Sequence, residues 1–166
     1  NVNYREVSLW YNGANMDDGK VDGVVYIKKN GKYYALTDFL NGFITKDFDL
    51  KGGTLICGDK IEFKGGILSN GNIQGNNTII FADCVQIFDL SIELKGTWKA
   101  EKVWADWFGS IVNDYNSNDL VSSLDRLYPV FECVNLAKGS YFTNIGGVGV
   151  KQLVGDSMKG TIIDFR

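Results

Sequence analysis

Apolar residues in the middle of this 166-residue chain recur at a constant spacing of six positions. The series consists of Leu55, Ile61, Ile67, Ile73, Ile79 and Val85, and glycine and asparagine fill most of the intervals. A period of six fits neither a helix nor a simple meander, and it is typical of short strands separated by sharp corners, as in a β-solenoid that stacks inward-pointing aliphatics. The pattern predicts such a stack over residues 46–100. An antiparallel β-sandwich with short loops is the alternative.

The first 45 residues carry a different pattern, that of a β-hairpin. Two β-rich runs, 24–28 and 33–36, flank Asn30 and Gly31. Asn-Gly between such runs is the strongest short-range hairpin signal, because a type I′ turn needs positive φ at both central residues. Residues 7–11 have the composition of a further strand. The sequence therefore predicts a small N-terminal strand unit over residues 1–45.

One short helix is predicted, near residues 117–128. Residues 116–118 offer caps, and Asp119 suits the positive end of the helix dipole. Apolar residues line one face before Pro129 ends the helix, namely Leu120, Leu124, Leu127 and Tyr128. Among strands, such a helix is expected to cap an exposed apolar end. The predicted fold class is therefore all-β, with the hairpin unit at 1–45 and the first coils of a β-helix, including the capping helix, at 46–166.

Composition agrees with many turns and removes several kinds of chemistry. The chain has 20 Gly and 15 Asn, the residues that adopt positive φ most easily, against one Pro and no His. Without histidine, these residues cannot form a Ser-His-Asp or Cys-His nucleophile system, a histidine zinc site or an imidazole pH switch. We predict no cofactor.

Charge and hydropathy exclude two classes of partner. The net charge is −3 and the 17 basic residues are scattered, so no nucleic-acid partner is expected. No apolar run approaches the roughly 20 residues of a membrane span, so no membrane insertion is expected. Three cysteines, Cys57, Cys84 and Cys133, lie far apart without a CxxC motif, which indicates buried thiols rather than disulfides or a metal site.

Carboxylates are the remaining candidates for acid–base catalysis, and they come in three pairs. Those pairs are Asp17 with Asp18, Asp47 with Asp49, and Asp114 with Asp119. A solvated turn, an exposed strand face and helix capping respectively explain them as well. The sequence therefore assigns no catalytic residue.

Tryptophan is concentrated in residues 98–107, where Trp98, Trp104 and Trp107 occur close together. Aromatic faces stack on sugar rings, so these residues are candidates for a glycan platform. Their position just before the helix favours the other interpretation, packing in the core or at a subunit interface at the end of the solenoid.

Residues 63–80, FKGGILSNGNIQGNNTII, resemble an opening segment of phage and prophage proteins from Bacteroides-type gut bacteria, where it precedes a right-handed pectate-lyase-like β-helix. The resemblance covers about residues 50–166 and continues at 87–88, 96–98, 107–109, 136–141 and 155–163. Residues 10–13, 16–18 and 22–29 resemble the leader of such tailspike or fibre proteins. After residue 109 the family usually shows a Gly-Asp-Gly-rich acidic tract, whereas here 110–119 keep the helix position without those glycines and paired acids.

The resemblance implies a structural virion protein, the particle-proximal part of a head or tail fibre or tailspike. It would form a homotrimer, contact other capsid or tail proteins, and present a β-helix that binds host surface polysaccharide. Its location would be the phage particle, after assembly in the bacterial cytoplasm. Candidates for docking on the virion are the aromatic residues of the N-terminal unit, Trp10, Tyr11, Tyr26, Tyr33 and Tyr34.

Two other functions stay open. One is the N-terminal part of a polysaccharide lyase or hydrolase, a capsule depolymerase whose catalytic coils lie downstream. The other is a secreted bacterial adhesin module. The first follows from the expectation that the chain continues beyond Arg166, because the strand predicted at 161–166 stops without a cap or polar tail. The second predicts a signal peptide upstream of Asn1.

Overall fold

The computed structural model describes residues 4–7, 26–29, 32–36, 43–144, 146, 149 and 151–165. These residues form an all-β fold with little helix, as predicted. The strands are β1 (Tyr4–Val7), β2 (Tyr26–Lys29), β3 (Lys32–Leu36), β4 (Phe43–Ile44), β5 (Phe48–Ile56), β6 (Lys60–Phe63), β7 (Leu68–Phe81), β8 (Ile92–Lys99), β9 (Cys133–Leu136), β10 (Gly139–Thr143), β11 (Gln152–Gly155) and β12 (Thr161–Phe165). A 3₁₀ turn spans Ala105–Phe108, and the helix α1 spans Leu120–Leu127.

Parallel pairing organises the strands from β4 onward. The long strand β7 pairs with β5 and β6 along one edge and with β8 along the other, all in parallel register. We call β5 with β6 the first layer, β7 the second and β8 the third. Farther along, β9 pairs with β11 and β10 with β12, again in parallel. The antiparallel sandwich is therefore wrong for this part of the chain.

Apolar side chains of neighbouring layers stack on one another. Leu55 pairs with Ile73, and Ile73 pairs with Leu94. All three side chains are buried, as are Leu68 and Phe88, which form a parallel bridge between layers. Each layer thus places an aliphatic or aromatic residue over its counterpart, and the core runs along the stack. Among the described residues, no sheet closes on itself into a complete solenoid.

The six-residue period holds only at its start. Leu55, Ile61 and Ile73 are buried and Ile67 is half-buried, but Ile79 is 38% exposed and Val85 is 49% exposed. The step from Leu55 to its partner Ile73 equals three periods of six, whereas the step from Ile73 to Leu94 is longer and is not a multiple of six. A repeat of six therefore falls out of phase with the layers. From there the core positions are taken by other residues, such as Ile80 and Ile87.

The predicted hairpin is present in the pairing of β2 with β3. The two strands are antiparallel, and Lys29 pairs with Lys32 across two intervening residues, as a two-residue turn requires. The turn residues Asn30 and Gly31 lie outside the described residues, as does most of the strand predicted at 7–11. Of that strand, Val7 belongs to β1, which pairs antiparallel with β3.

The hairpin joins the stack without a break in the sheet. β2 pairs antiparallel with β5, on the edge of β5 opposite to β7, with Tyr26 in register with Ile56. β4 ends just before the boundary that the sequence predicts after residue 45, and it pairs in parallel with β6. An unpaired strand edge is prone to association, so the hairpin protects the outer edge of the first layer.

The helix lies where the sequence predicts it, but Asp119 and not residues 116–118 is its N-cap. The Asp119 carboxylate accepts from the Val121 amide at 2.9 Å. The same carboxylate accepts from the Thr143 hydroxyl and the Asn144 amide, which ties α1 to β10. α1 packs against the 3₁₀ turn, β8 and β10. No helix in the described part of the chain is long and apolar enough to span a membrane.

Glycine and asparagine occupy the corners, as their abundance predicts. Asn70 and Asn77 have positive φ, at 56° and 52°, and Gly96 has a φ of 79°. Side chains link corners of neighbouring layers. The Asn70 side chain donates to Asp49 of the first layer at 3.0 Å, and the Asn70 amide donates to the Ser91 hydroxyl at 2.8 Å.

Candidate functional site

An open groove of about 460 Å³ crosses the layers at one corner of the stack. We call it the corner groove. It is lined by side chains from three stretches, principally Glu62, Lys64, Phe81, Asp83, Glu101 and Trp104. Its volume is within the range of small-molecule sites, roughly 300–1,000 Å³.

Parallel register explains why these residues meet. Glu62 of β6 pairs with Phe81 of β7. Ile79 pairs with Lys99 at the end of β8, and Glu101 follows two residues later and lines the same groove. Neighbouring strands lie about 4.8 Å apart, so Glu62 and Phe81 are adjacent along the stacking direction. The corner groove therefore runs along the stacking direction.

Two aromatic side chains of the corner groove are accessible. Phe81 is 47% exposed, and Trp104 is half-buried. The ammonium group of Lys102 lies 5.5 Å from the centroid of the Trp104 ring, a cation–π contact. An apolar surface edged by charged groups is suited to a ligand that has both apolar faces and hydrogen-bonding groups.

The charged groups of the corner groove are nearly balanced. Three carboxylates, Glu62, Asp83 and Glu101, face two ammonium groups, Lys64 and Lys102. Lys64 forms an ion pair with Glu62 at 3.3 Å. The corner groove is therefore neither a basic patch nor a strongly acidic one.

Trp98 and Trp107 are buried, so they cannot form a glycan platform with Trp104. Trp107 is fully buried, its Nε1 donates to the Asp83 carbonyl at 3.0 Å, and its ring meets Phe131 edge-on. Trp98 lies against Gly75, and its Nε1 donates to the Lys95 carbonyl at 2.8 Å. Both rings therefore pack within the stack, and Trp104 is the member of the trio with accessible ring surface.

A buried polar cluster lies behind the corner groove. The Asp106 carboxyl group accepts from the Tyr141 hydroxyl at 2.6 Å and from the Val112 amide at 3.1 Å. The Tyr141 hydroxyl in turn accepts from the Ala137 amide at 2.9 Å. Asp106 and Tyr141 are each 1% exposed. A substrate cannot reach them, so this cluster connects the 3₁₀ turn to β10 and is not a catalytic pair.

The three cysteines are free thiols, as predicted, although only Cys57 is fully buried. Burial raises the pKa of the Cys57 thiol far above its usual value. Cys84 borders the corner groove, and burial together with the nearby Asp106 carboxyl group raises its pKa to about 12. Burial and the hydrogen bond to Asp106 likewise raise the pKa of Tyr141. Folding therefore favours the protonated forms of the Cys57 and Cys84 thiols and of the Tyr141 hydroxyl.

These pKa shifts predict a loss of stability in alkali. Because the folded-state values are raised, the stabilisation is complete below the pKa of about 9.0 that an unperturbed thiol has, and it is lost as the pH rises toward 12. We expect the urea midpoint, measured under reducing conditions, to fall between pH 8 and pH 11. Cys84→Ser removes one titrating group and should flatten the decline. Equal slopes in both proteins would contradict the burial of Cys84.

The candidate carboxylate pairs within the described residues have structural partners. Asp47 accepts from the Ile67 amide of the next layer at 3.0 Å, and Asp49 pairs with Lys51 at 3.0 Å. Asp114 accepts from the Asn116 amide in a local turn, and Asp119 is the N-cap already described. Asp17 and Asp18 lie outside the described residues. In the part of the chain that the structure describes, no group of three or more Cys, Asp or Glu residues is placed to hold a metal ion.

The docking candidates are only partly covered by the structure. Tyr26 lies on β2, and Tyr33 and Tyr34 lie on β3, where Tyr33 pairs with both Val7 and Lys28. Trp10 and Tyr11 lie outside the described residues. Docking of this unit on a virion stays a prediction.

Sequence reasoning missed the corner groove apart from Trp104. Nearly equal stretches of chain separate Glu62 from Phe81 and Phe81 from Glu101, and each stretch is close to the length of one layer. A repeat of about one layer length would have indicated Glu62, Phe81 and Glu101. The period of six indicated Ile79 and Val85 instead.

Comparison with protein-family models, with curated proteins and with solved structures finds no match to this chain.

Proposed function

We propose that this chain is a structural segment of a phage fibre or tailspike, built as a β-helix, that assembles into a homotrimer and presents a surface for host polysaccharide. It would form the particle-proximal part, with residues 1–45 docking on capsid or tail proteins. The observation that carries the proposal is the parallel stacking of β5 to β8 at nearly regular intervals along the chain. The later pairs β9–β11 and β10–β12 continue this parallel pairing at similar intervals.

Stacked parallel strands suit a fibre because each layer rests on the one before it. Every backbone group along a layer edge can pair with the next layer, and side chains of the same kind lie over one another. Such a stack is stiff along its axis and exposes long, regular faces. Those faces support both subunit packing and extended ligands.

An exposed apolar surface on β11 and β12 supports subunit packing. Phe165 is 75% exposed, and Ile162, Ile163 and Val154 are also exposed. Met158, in the turn between the two strands, is fully exposed. Ile163 and Phe165 lie on the same face of β12, and exposed apolar residues that share a face mark interaction sites. We assign them to the contact between copies of this chain.

The lyase or hydrolase alternative stays a prediction, with its catalytic coils expected downstream. Glu62 and Glu101 of the corner groove are the carboxylates that could contribute to such an activity. Release of reducing ends from host capsule by this chain, abolished in Glu101→Gln, would establish the enzyme interpretation instead of the structural one.

The mass of the assembly in solution tests the proposal. By sedimentation equilibrium we expect three times the 18.4 kDa of one chain. Phe165→Glu with Ile163→Glu places two charges on the same face of β12, and because both side chains are exposed the fold should survive. This variant should be a monomer at concentrations where the parent is a trimer.

Val85→Glu is the matched control, since Val85 is also an exposed apolar residue but belongs to the turn after β7 and not to β11 or β12. It should remain trimeric. A monomeric parent chain would overturn the trimer. A double variant that still forms trimers would overturn the assignment of the contact to β11 and β12.

A further inference from the structure

We propose that the corner groove binds an uncharged glycan whose chain lies along the stacking direction, with a sugar ring against Phe81. This inference rests on the proposed function and adds to it a location and a ligand class. It follows from the kinds of side chain that the register brings together, and from their charges.

The aromatic residues supply the surface for the sugar rings. Phe81 lines the corner groove and is 47% exposed, although it is large and apolar. Trp104 lies in the layer after it and lines the same groove. Pyranose rings have apolar faces that stack on aromatic rings, so the exposed Phe81 ring can hold a sugar, while Lys102 lies over the Trp104 ring. An exposed phenylalanine otherwise carries an unfavourable apolar contact with water.

The acidic residues supply hydrogen-bond acceptors. Glu62 pairs with Phe81, and Glu101, in the stretch after β8, lines the same groove. Ionised carboxylates only accept hydrogen bonds, and hydroxyl groups at the edge of a sugar ring donate them. Aromatic stacking with carboxylates beside it therefore fits a polyhydroxylated ligand better than a purely apolar one.

The balance of charge selects an uncharged glycan over an acidic one. Three carboxylates and two ammonium groups leave a net charge of −1 in the corner groove. Both ammonium groups already have partners, since Lys64 pairs with Glu62 and Lys102 lies over Trp104. A uronate polymer would bring further negative charges next to Glu62, Asp83 and Glu101, where carboxylates outnumber the ammonium groups that line the groove.

Isothermal titration of the whole chain against defined oligosaccharides tests this inference. The probes are a panel of neutral hexasaccharides of glucose, mannose, galactose and N-acetylglucosamine, with hexagalacturonate as the acidic counterpart. We expect at least one neutral probe to bind at least tenfold more tightly than hexagalacturonate. Its affinity should be nearly unchanged between low and high salt, because no ion pair forms on binding.

Variants locate the binding. Phe81→Ala should weaken the neutral ligand about tenfold, as loss of a stacking ring does. Tyr115→Ala is the matched control, since Tyr115 is an exposed aromatic residue that does not line the corner groove. Glu62→Gln with Glu101→Gln reverses the net charge of the corner groove and should improve the binding of hexagalacturonate.

Each contrary result has a distinct meaning. Equal or tighter binding of hexagalacturonate by the parent chain, or an undiminished affinity in Phe81→Ala, would overturn the inference. So would the failure of every neutral probe to bind. A trimer of the expected mass in the same preparation would leave the structural role in place, whereas a monomer that binds a neutral glycan would overturn the fibre proposal and keep this one.

Discussion

Asp106→Ala is expected to lower the free energy of unfolding by about 3–5 kcal/mol. The substitution leaves two buried donors without an acceptor, and each such donor costs about 1–3 kcal/mol. The donors are the Tyr141 hydroxyl and the Val112 amide. All three groups lie where the 3₁₀ turn meets the chain around β10. The loss should therefore weaken the attachment of β10 to the preceding layer.

Urea denaturation followed by tryptophan fluorescence measures this effect. Asp125→Ala is the matched control, because Asp125 is an exposed aspartate on α1, and such a surface substitution usually changes stability by less than about 0.5 kcal/mol. Tyr141→Phe should cost about 1–3 kcal/mol, since it removes the donor to Asp106 and the acceptor of the Ala137 amide. The double variant should lose less unfolding free energy than the sum of the losses in the two single variants, because both act on the same hydrogen bond. Similar midpoints for Asp106→Ala and Asp125→Ala would contradict the buried cluster.

Gly71→Ala is expected to destabilise the chain by about 2–3 kcal/mol through overpacking between the first two layers. Gly71 of β7 pairs with Gly53 of β5. A Cβ added at Gly71 would overlap the Gly53 carbonyl oxygen and lie 2.7 Å from the Leu50 Cβ. A backbone carbonyl cannot move aside as the end of a flexible side chain can, so the two strands would have to separate.

Gly149→Ala is the matched control for Gly71→Ala. A Cβ at Gly149 meets no atom within 4 Å, so its effect on stability should be within about 0.5 kcal/mol. Hydrogen exchange adds a local measurement, because in Gly71→Ala the amides of β5 and β7 should lose protection more than those of β10. Equal midpoints for the two alanine variants would contradict the close approach of the layers.

Local signals in the sequence predicted the local elements well. Asn30 and Gly31 between two β-rich runs predicted the pairing of β2 with β3, because the turn chemistry and the strands are adjacent in the chain. Asp119 followed by an apolar face and Pro129 predicted α1 for the same reason. The abundance of glycine and asparagine predicted corners with positive φ.

Predictions that depended on distant contacts fared less well. The exposed positions of Ile79 and Val85 contradict the period of six, since successive layers differ in length and no fixed short period can follow them. Spacing alone does not distinguish Trp104 from Trp98 and Trp107. Trp98 packs against Gly75 and Trp107 packs against Phe131, and these contacts help to bury the two rings.

The sequence by itself determined that this chain is all-β, that it turns often, that its described residues include a hairpin and the helix α1, and that it has no histidine for catalysis or metal binding. These properties depend on backbone preferences and residue types, which act over a few positions. The tertiary structure decided that strands of successive layers pair in parallel, and it brought Glu62, Phe81 and Glu101 together in the corner groove. Residues one layer apart along the chain become neighbours only through the register between layers, and that register is set by how the whole core packs.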